Sequence, residues 1–179
     1  MSMTTFAHFG GGIAVAAAVQ HYVFKEEITP AVIVTGVLLG LLPDLDSLLA
    51  LLFGKWSPGV EQLSHHSYFT HTPIFYLFVS GLIWLILDWK WALIFLSVTL
   101  THLLMDSWST DDGIMWLWPL RKEQYSLFPM DSHTGGVYGL QFYARYVLTP
   151  RLIMPELFFI AAGAIVIIRF VLRRSLSNH

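Results

Sequence analysis

In the stretch "THLLMD", residues 101–106, a histidine and an aspartate stand four apart at the end of a run that is apolar from Trp91 onward. On a helix that spacing puts His102 and Asp106 on one face, a turn apart, so both can reach a single point. An imidazole nitrogen and a carboxylate aimed at one point either hydrogen-bond or share a divalent cation. Alone the pair is a weak signal, because a hydrogen bond within the helix explains it as well. It has company. His8, Asp44 and Asp46 also interrupt apolar segments, and His66 and His71 lie in the loop beside them. Ionisable residues in such segments are costly, face the bundle interior by default, and mark function.

The elements that must position them come from hydropathy. The chain is 55% apolar and 12% charged, with a mean hydropathy of +0.61, against about 25% charged residues in a soluble domain. Apolar blocks fall near 6–23, 31–53, 74–88, 91–106 and 153–172. Each is close to the ~17–25 residues a helix needs to cross a bilayer, the third and fourth at the short end. The expected fold is all-α: an integral membrane helical bundle of about five transmembrane helices, with an interfacial cap between helices four and five. One domain covers 1–179, with a metal-site core in 1–130, the cap at about 107–150 and a C-terminal anchor helix in 151–179.

Local signals set the joints. Pro30 suits a first helical turn. "PDLD" (43–46) should end or bend the second helix, since proline removes a donor and two carboxylates follow. Thr72-Pro73 reads as an N-cap followed by proline at the first position of the third helix. Asp88 to Lys90 makes a tight turn. The cap is rich in aromatic residues ("MWLWPL", "VYGLQFYARYVL"), as headgroup-level segments are. No Lys or Arg precedes the first apolar run, so a cleaved signal peptide is not expected. There is no cysteine, which excludes disulfides and thiolate ligands. A formal net charge of −2, with no long basic run, gives no reason to expect a nucleic-acid partner.

Each crossing changes the side of the membrane. His8 begins span one, "PDLD" ends span two, His66 and His71 lie between spans two and three, and His102 and Asp106 end span four. All of them fall on one side. His66 and His71, five apart, would diverge by roughly 140° on a continuous helix, so their convergence needs a bend before helix three. Imidazoles and carboxylates gathered without adjacent cations point to a divalent metal, since close carboxylates otherwise keep each other partly protonated. Nitrogen and oxygen donors suit zinc, with manganese or iron as alternatives. Seven donors exceed one tetrahedral ion and fit two or three ions. Two ions a few ångströms apart are a common device for phosphoester hydrolysis. His65 is a substitute ligand, Asp131 and His133 in the cap are weaker candidates, and His21 and His179 stand outside the cluster.

These pieces resemble the YdjM-like family of LexA-binding, inner-membrane-associated, metal-dependent hydrolases. The matching motifs are "HFGGG" (8–12), "LLPDLD" (41–46), "HHSYFTHT" (65–72), "THLLMDSWSTDDG" (101–113) and "MWLWPL" (115–120). In the family the third motif usually reads His-Arg-Gly-x-Thr-His-Ser. Here Ser67 stands where arginine is usual and Tyr68 where glycine is usual, which leaves Arg121, Lys122, Arg145 or Arg151 to hold an anionic group. The family is distantly similar to zinc-dependent phospholipase C and the single-strand nucleases, and this resemblance implies phosphoester hydrolysis.

The sequence therefore leads to a membrane hydrolase acting on a lipid or lipid-linked phosphoester. His8, Asp44, Asp46, His66, His71, His102 and Asp106 are its metal ligands. One of Asp44, Asp46 or Asp106 takes a proton, and Arg121, Lys122 and Arg145 meet the substrate. A divalent-metal carrier or sensor, and a non-catalytic membrane anchor for a partner protein, are the rival readings. The basic end at Arg169, Arg173 and Arg174 favours the cytoplasm, which leans the site of this multi-pass inner-membrane protein to the outer face. Arg121, Lys122, Arg145 and Arg151 weigh the other way.

Overall fold

A computed structural model describes residues 4–46, 65–108, 113–128 and 148–177. Its helices are α1 (Thr5–Ala18), α2 (Pro30–Leu41), α3 (Pro73–Ile86), α4 (Trp89–Asp106) and α5 (Pro150–Ser177). Among the described residues there is no strand, only an isolated antiparallel bridge between Ile114 and Tyr125. The all-α expectation holds. Among the described residues one helix, over Pro150–Leu176, is long and apolar enough to cross a membrane, while Pro30–Leu41 and Pro73–Ile86 are apolar but shorter.

Helix starts follow local chemistry. Thr29 accepts from the Val32 N–H at 3.3 Å ahead of Pro30, and Asp88 accepts from the Lys90 N–H at 2.7 Å to begin α4. Each satisfies one of the donors a helix N-terminus leaves over. Thr72 is at the N-cap position of α3, but its hydroxyl turns back to donate to the Phe69 carbonyl at 2.6 Å instead of capping. At "PDLD" the chain leaves α2 through tight turns, with Asp44 N–H on the Leu41 carbonyl and Leu45 N–H on that of Leu42. The stretch 47–53, expected as a further turn of this segment, lies outside the described residues. Past Ala18, α1 continues as a wide π-turn, Val19–Val23.

The helices alternate in direction. Gly12 meets Gly36 and Gly40 meets His8, so α2 runs antiparallel to α1. Ser80 Oγ donates to the Ala92 carbonyl at 2.9 Å and Tyr76 packs on Phe95, pairing α3 antiparallel with α4. Gly10 lies against Phe159 and Gly163, with Thr4 bonded to Glu156 two turns earlier on α5, so α1 and α5 run side by side in one direction. The consequence is positional. The start of α1, the end of α2, the turns before α3, the end of α4 and the start of α5 all meet at one end.

"HFGGG" is what allows this. A Cβ on Gly10 would come within 2.2 Å of the Phe159 carbonyl oxygen, one on Gly11 within 2.9 Å of the Met105 sulfur, and one on Gly12 within 2.1 Å of the Gly36 carbonyl oxygen. Three consecutive residues thus give α1 close approach to three other helices, as small residues do in membrane bundles. Ala16, Val19, Val32, Ile94 and Val98 fill the core away from this end. Ala7 and Met105, with Trp108 and Phe159, seal it beneath the site.

Candidate metal centre

Asp106 closes α4 and is 0% exposed. A helix C-terminus carries the negative end of the backbone dipole, so a carboxylate there is unfavourable by itself. Asp44 and Asp46 repeat the arrangement just beyond the end of α2. Two helices thus deliver carboxylates at their negative ends to one place, an arrangement that favours protons, hydrogen-bond donors or positive charge beside them.

Imidazoles surround Asp106. His8 Nε2 is 3.2 Å from Oδ1, while His102, His71 and His66 Nε2 are 2.9, 3.1 and 3.7 Å from Oδ2. All four histidines are at most 1% exposed. The His8 and His102 rings stack at 3.9 Å, and those of His66 and His71 lie 4.8 Å apart. Two short 3-10 turns, His65–Ser67 and Phe69–His71, bring the last pair together. This is the bend that their five-residue spacing required.

The outer partners fix ring directions. The Gly40 carbonyl accepts from His102 Nδ1–H at 2.7 Å, leaving Nε2 facing Asp106 and, at 3.4 Å, Asp44 Oδ1. His71 Nδ1–H donates to Asp46 Oδ2 at 3.1 Å, and Thr70 Oγ1 donates to the same oxygen at 3.0 Å. Asp46 therefore orients His71 as carboxylates orient metal-binding histidines. Burial pulls the His71 pKa down, but the hydrogen bonds to Asp106 and Asp46 outweigh it and leave the group above its ordinary value of 6.5.

Four of the donors could hold a divalent ion. Ligand atoms of Asp44, His71, His102 and Asp106 all lie within 4.8 Å of one another. Bonds of about 2.0–2.2 Å to one zinc ion would allow any two of them at most about 4.4 Å, so the widest spacing would close by a few tenths of an ångström around an ion. Both ring nitrogens of His8, Asp46 Oδ1 and His102 Nε2 are buried and make no hydrogen bond. Each such atom costs about 1–3 kcal/mol, and a cation would give several of them a partner.

All seven residues expected from the sequence are brought together. The His65 side chain, Asp131, His133 and Arg145 lie outside the described residues. Arg121 and Lys122 are exposed on the cap, Arg121 3.9 Å from Glu123. The cap joins the site from above: Leu127 and Phe128 N–H donate to the Ser107 and Trp108 carbonyls at 2.7 and 3.1 Å. Trp116 Nε1–H reaches Ser107 Oγ at 2.7 Å, and Gln124 Nε2–H reaches Ser67 Oγ at 3.0 Å. Sequence reasoning missed Glu156, a buried carboxylate within the last apolar run; the rule that singled out Asp106 applies to it equally.

No solved structure matches the chain. Inner membrane protein YbcI of Escherichia coli (strain K12) is 32% identical over 110 residues, which cover 56% of this chain and 61% of that protein. The family described as YdjM inner membrane protein matches residues 3–176, and the chain belongs to that family of inner membrane proteins.

Proposed function

We propose that this chain is a membrane-embedded, metal-dependent hydrolase of a phosphoester in a lipid or lipid-linked substrate. The observation that carries the reading is Asp106, a fully buried carboxylate at a helix C-terminus ringed by four imidazoles. His8, Asp44, Asp46, His66, His71, His102 and Asp106 build the centre, for two or three zinc ions or for manganese or iron in their place. Divalent ions held there would lower the pKa of water toward neutrality and offset charge on phosphate oxygens.

The protein's own contributions are positional and protonic. Gly40 and Asp46 hold His102 and His71 with their Nε2 atoms turned to Asp106. The Asp44 side chain is 28% exposed, against 7% for Asp46 and 0% for Asp106. It is the carboxylate an incoming substrate meets first, and the one placed to exchange a proton with it. Arg121 and Lys122 on the cap, with Arg145, supply positive charge for the phosphate.

Exposed apolar side chains support a lipid substrate: Phe6, Leu45, Phe69 and Leu104 neighbour site residues in sequence, and Leu120 tips the cap. Outward-facing Val34 and Leu38 on α2, Phe78 and Leu85 on α3, and Phe158 and Ile168 on α5 support a bundle that crosses the membrane with all its helices. The basic end of α5 then lies in the cytoplasm and the centre opens at the outer face.

The test uses the full chain in lipid nanodiscs with zinc or manganese, offered phospholipids and lipid-linked phosphates, with phosphorus NMR to follow ester cleavage. Turnover that falls at least 100-fold in Asp44→Asn supports the reading. A metal-loaded protein that cleaves none of these substrates contradicts it.

A further inference from the structure

We infer that Glu156 on α5 is a positioning residue for His8, so that the C-terminal helix completes the metal centre. The inference rests on the metal-centre reading above.

Glu156 is 4% exposed in an otherwise apolar stretch of helix, a placement that is costly unless it serves a purpose. Both of its oxygens reach Thr4. Oε2 accepts from the Thr4 backbone N–H at 3.0 Å, and Oε1 accepts from the Thr4 hydroxyl. Thr4 is the N-cap residue of α1, and its own side chain makes no capping hydrogen bond. The negative partner that a helix N-terminus favours is supplied here by a different helix. A self-cap would shape the first turn of α1 without fixing where α1 sits. A cap from α5 does both.

The effect reaches the centre in one step. The Thr4 carbonyl accepts from Ala7 and His8 N–H at 2.9 and 3.2 Å. The His8 ring has no hydrogen bond of its own at either nitrogen. Stacking on His102 at 3.9 Å and the approach of Nε2 to Asp106 at 3.2 Å depend on where α1 places it. Other ligands are steered by side-chain partners: His71 by Asp46, and His102 by the Gly40 carbonyl. His8 is steered through its backbone, with Glu156 at one end and the Gly10–Gly163 contact further along. A ligand held to within about 0.5 Å needs such a support.

The experiment loads the full-length protein with cobalt(II) and reads the visible d–d spectrum, which reports the ligand set, together with cobalt affinity. Glu156→Ala should alter the spectrum in the same way as His8→Ala and weaken binding about 10- to 100-fold, the range for a lost outer partner. Glu156→Gln can accept from Thr4 N–H and donate to Thr4 Oγ1, so it should restore the wild-type spectrum. Thr4→Val removes only the hydroxyl donor and gives an intermediate loss, which keeps the test available where Glu156→Ala is too unstable. Ile168→Ala, exposed on the same helix, should leave the spectrum unchanged. A Glu156→Ala protein that melts earlier yet keeps wild-type spectrum and affinity overturns the positioning role alone. A wild-type protein that takes up no cobalt overturns the metal reading, and the role of Glu156 with it.

Discussion

His102 donates through Nδ1 to the Gly40 carbonyl at 2.7 Å while its Nε2 stands 2.9 Å from Asp106 Oδ2. The first contact orients the second, because a carbonyl only accepts, so Nδ1 must donate and Nε2 is turned the other way. Nε2 thus faces the carboxylates of Asp106 and Asp44. Nearly everything else at this end of the molecule extends the same arrangement: α2 supplies Gly40, Asp44 and Asp46, α4 supplies His102 and Asp106, and the glycines of α1 bring the two helices close enough to meet.

Close approach is therefore the first property to test. Gly12→Ala puts a Cβ 2.1 Å from the Gly36 carbonyl oxygen, whereas a Cβ on Gly81 meets nothing within 4 Å. Overpacking of this kind costs about 1–3 kcal/mol or more, so Gly12→Ala should lower the melting temperature and loosen metal binding with it. Gly81→Ala, in mid-helix, should stabilise by roughly 0.5–1 kcal/mol. Thermal unfolding of both variants in one detergent checks the pair, and equal behaviour would contradict the packing described.

Metal uptake should release protons. Burial lowers the His71 pKa, yet Asp106 and Asp46 raise it above the ordinary 6.5, so the metal-free centre favours His71 in its protonated form. The stability this gives is full below pH 6.5 and fades as pH rises through the raised value. A metal must displace that proton, so apparent affinity should climb with pH. Titration calorimetry near neutral pH in buffers of different ionisation enthalpy should show proton release on zinc binding. An enthalpy independent of buffer would contradict it.

The chain has no cysteine, so single introduced cysteines report topology cleanly. In intact cells a reagent added outside should label Lys122→Cys and spare Lys25→Cys, Lys90→Cys and Ser175→Cys, which face the cytoplasm. If α5 alone crossed the membrane, Lys25, Lys90 and Lys122 would share a face opposite Ser175.

The sequence carried the site further than it carried the fold. His102 and Asp106 were legible from spacing on one helix, and the joints at Pro30, "PDLD" and Asp88 from turn chemistry, because each is a local effect. Convergence of His8, Asp44, Asp46, His66 and His71 was expected from counting crossings, and helices that alternate in direction bring it about. Other features depend on contacts between helices and left no periodic mark. Each glycine of "HFGGG" faces a different neighbour, Asp46 serves His71, and Thr72 bonds backward to Phe69 instead of capping α3. Glu156 was visible as a lone acid in an apolar run, but its partner Thr4 lies 152 residues away.

The most direct test of the central claim is metal content per chain, by mass spectrometry of the detergent-purified protein beside His102→Ala and Asp106→Ala. The account predicts two or more zinc or manganese ions per wild-type chain and their loss in both variants. A wild-type protein that retains no metal, and binds none when zinc or manganese is added, would contradict it.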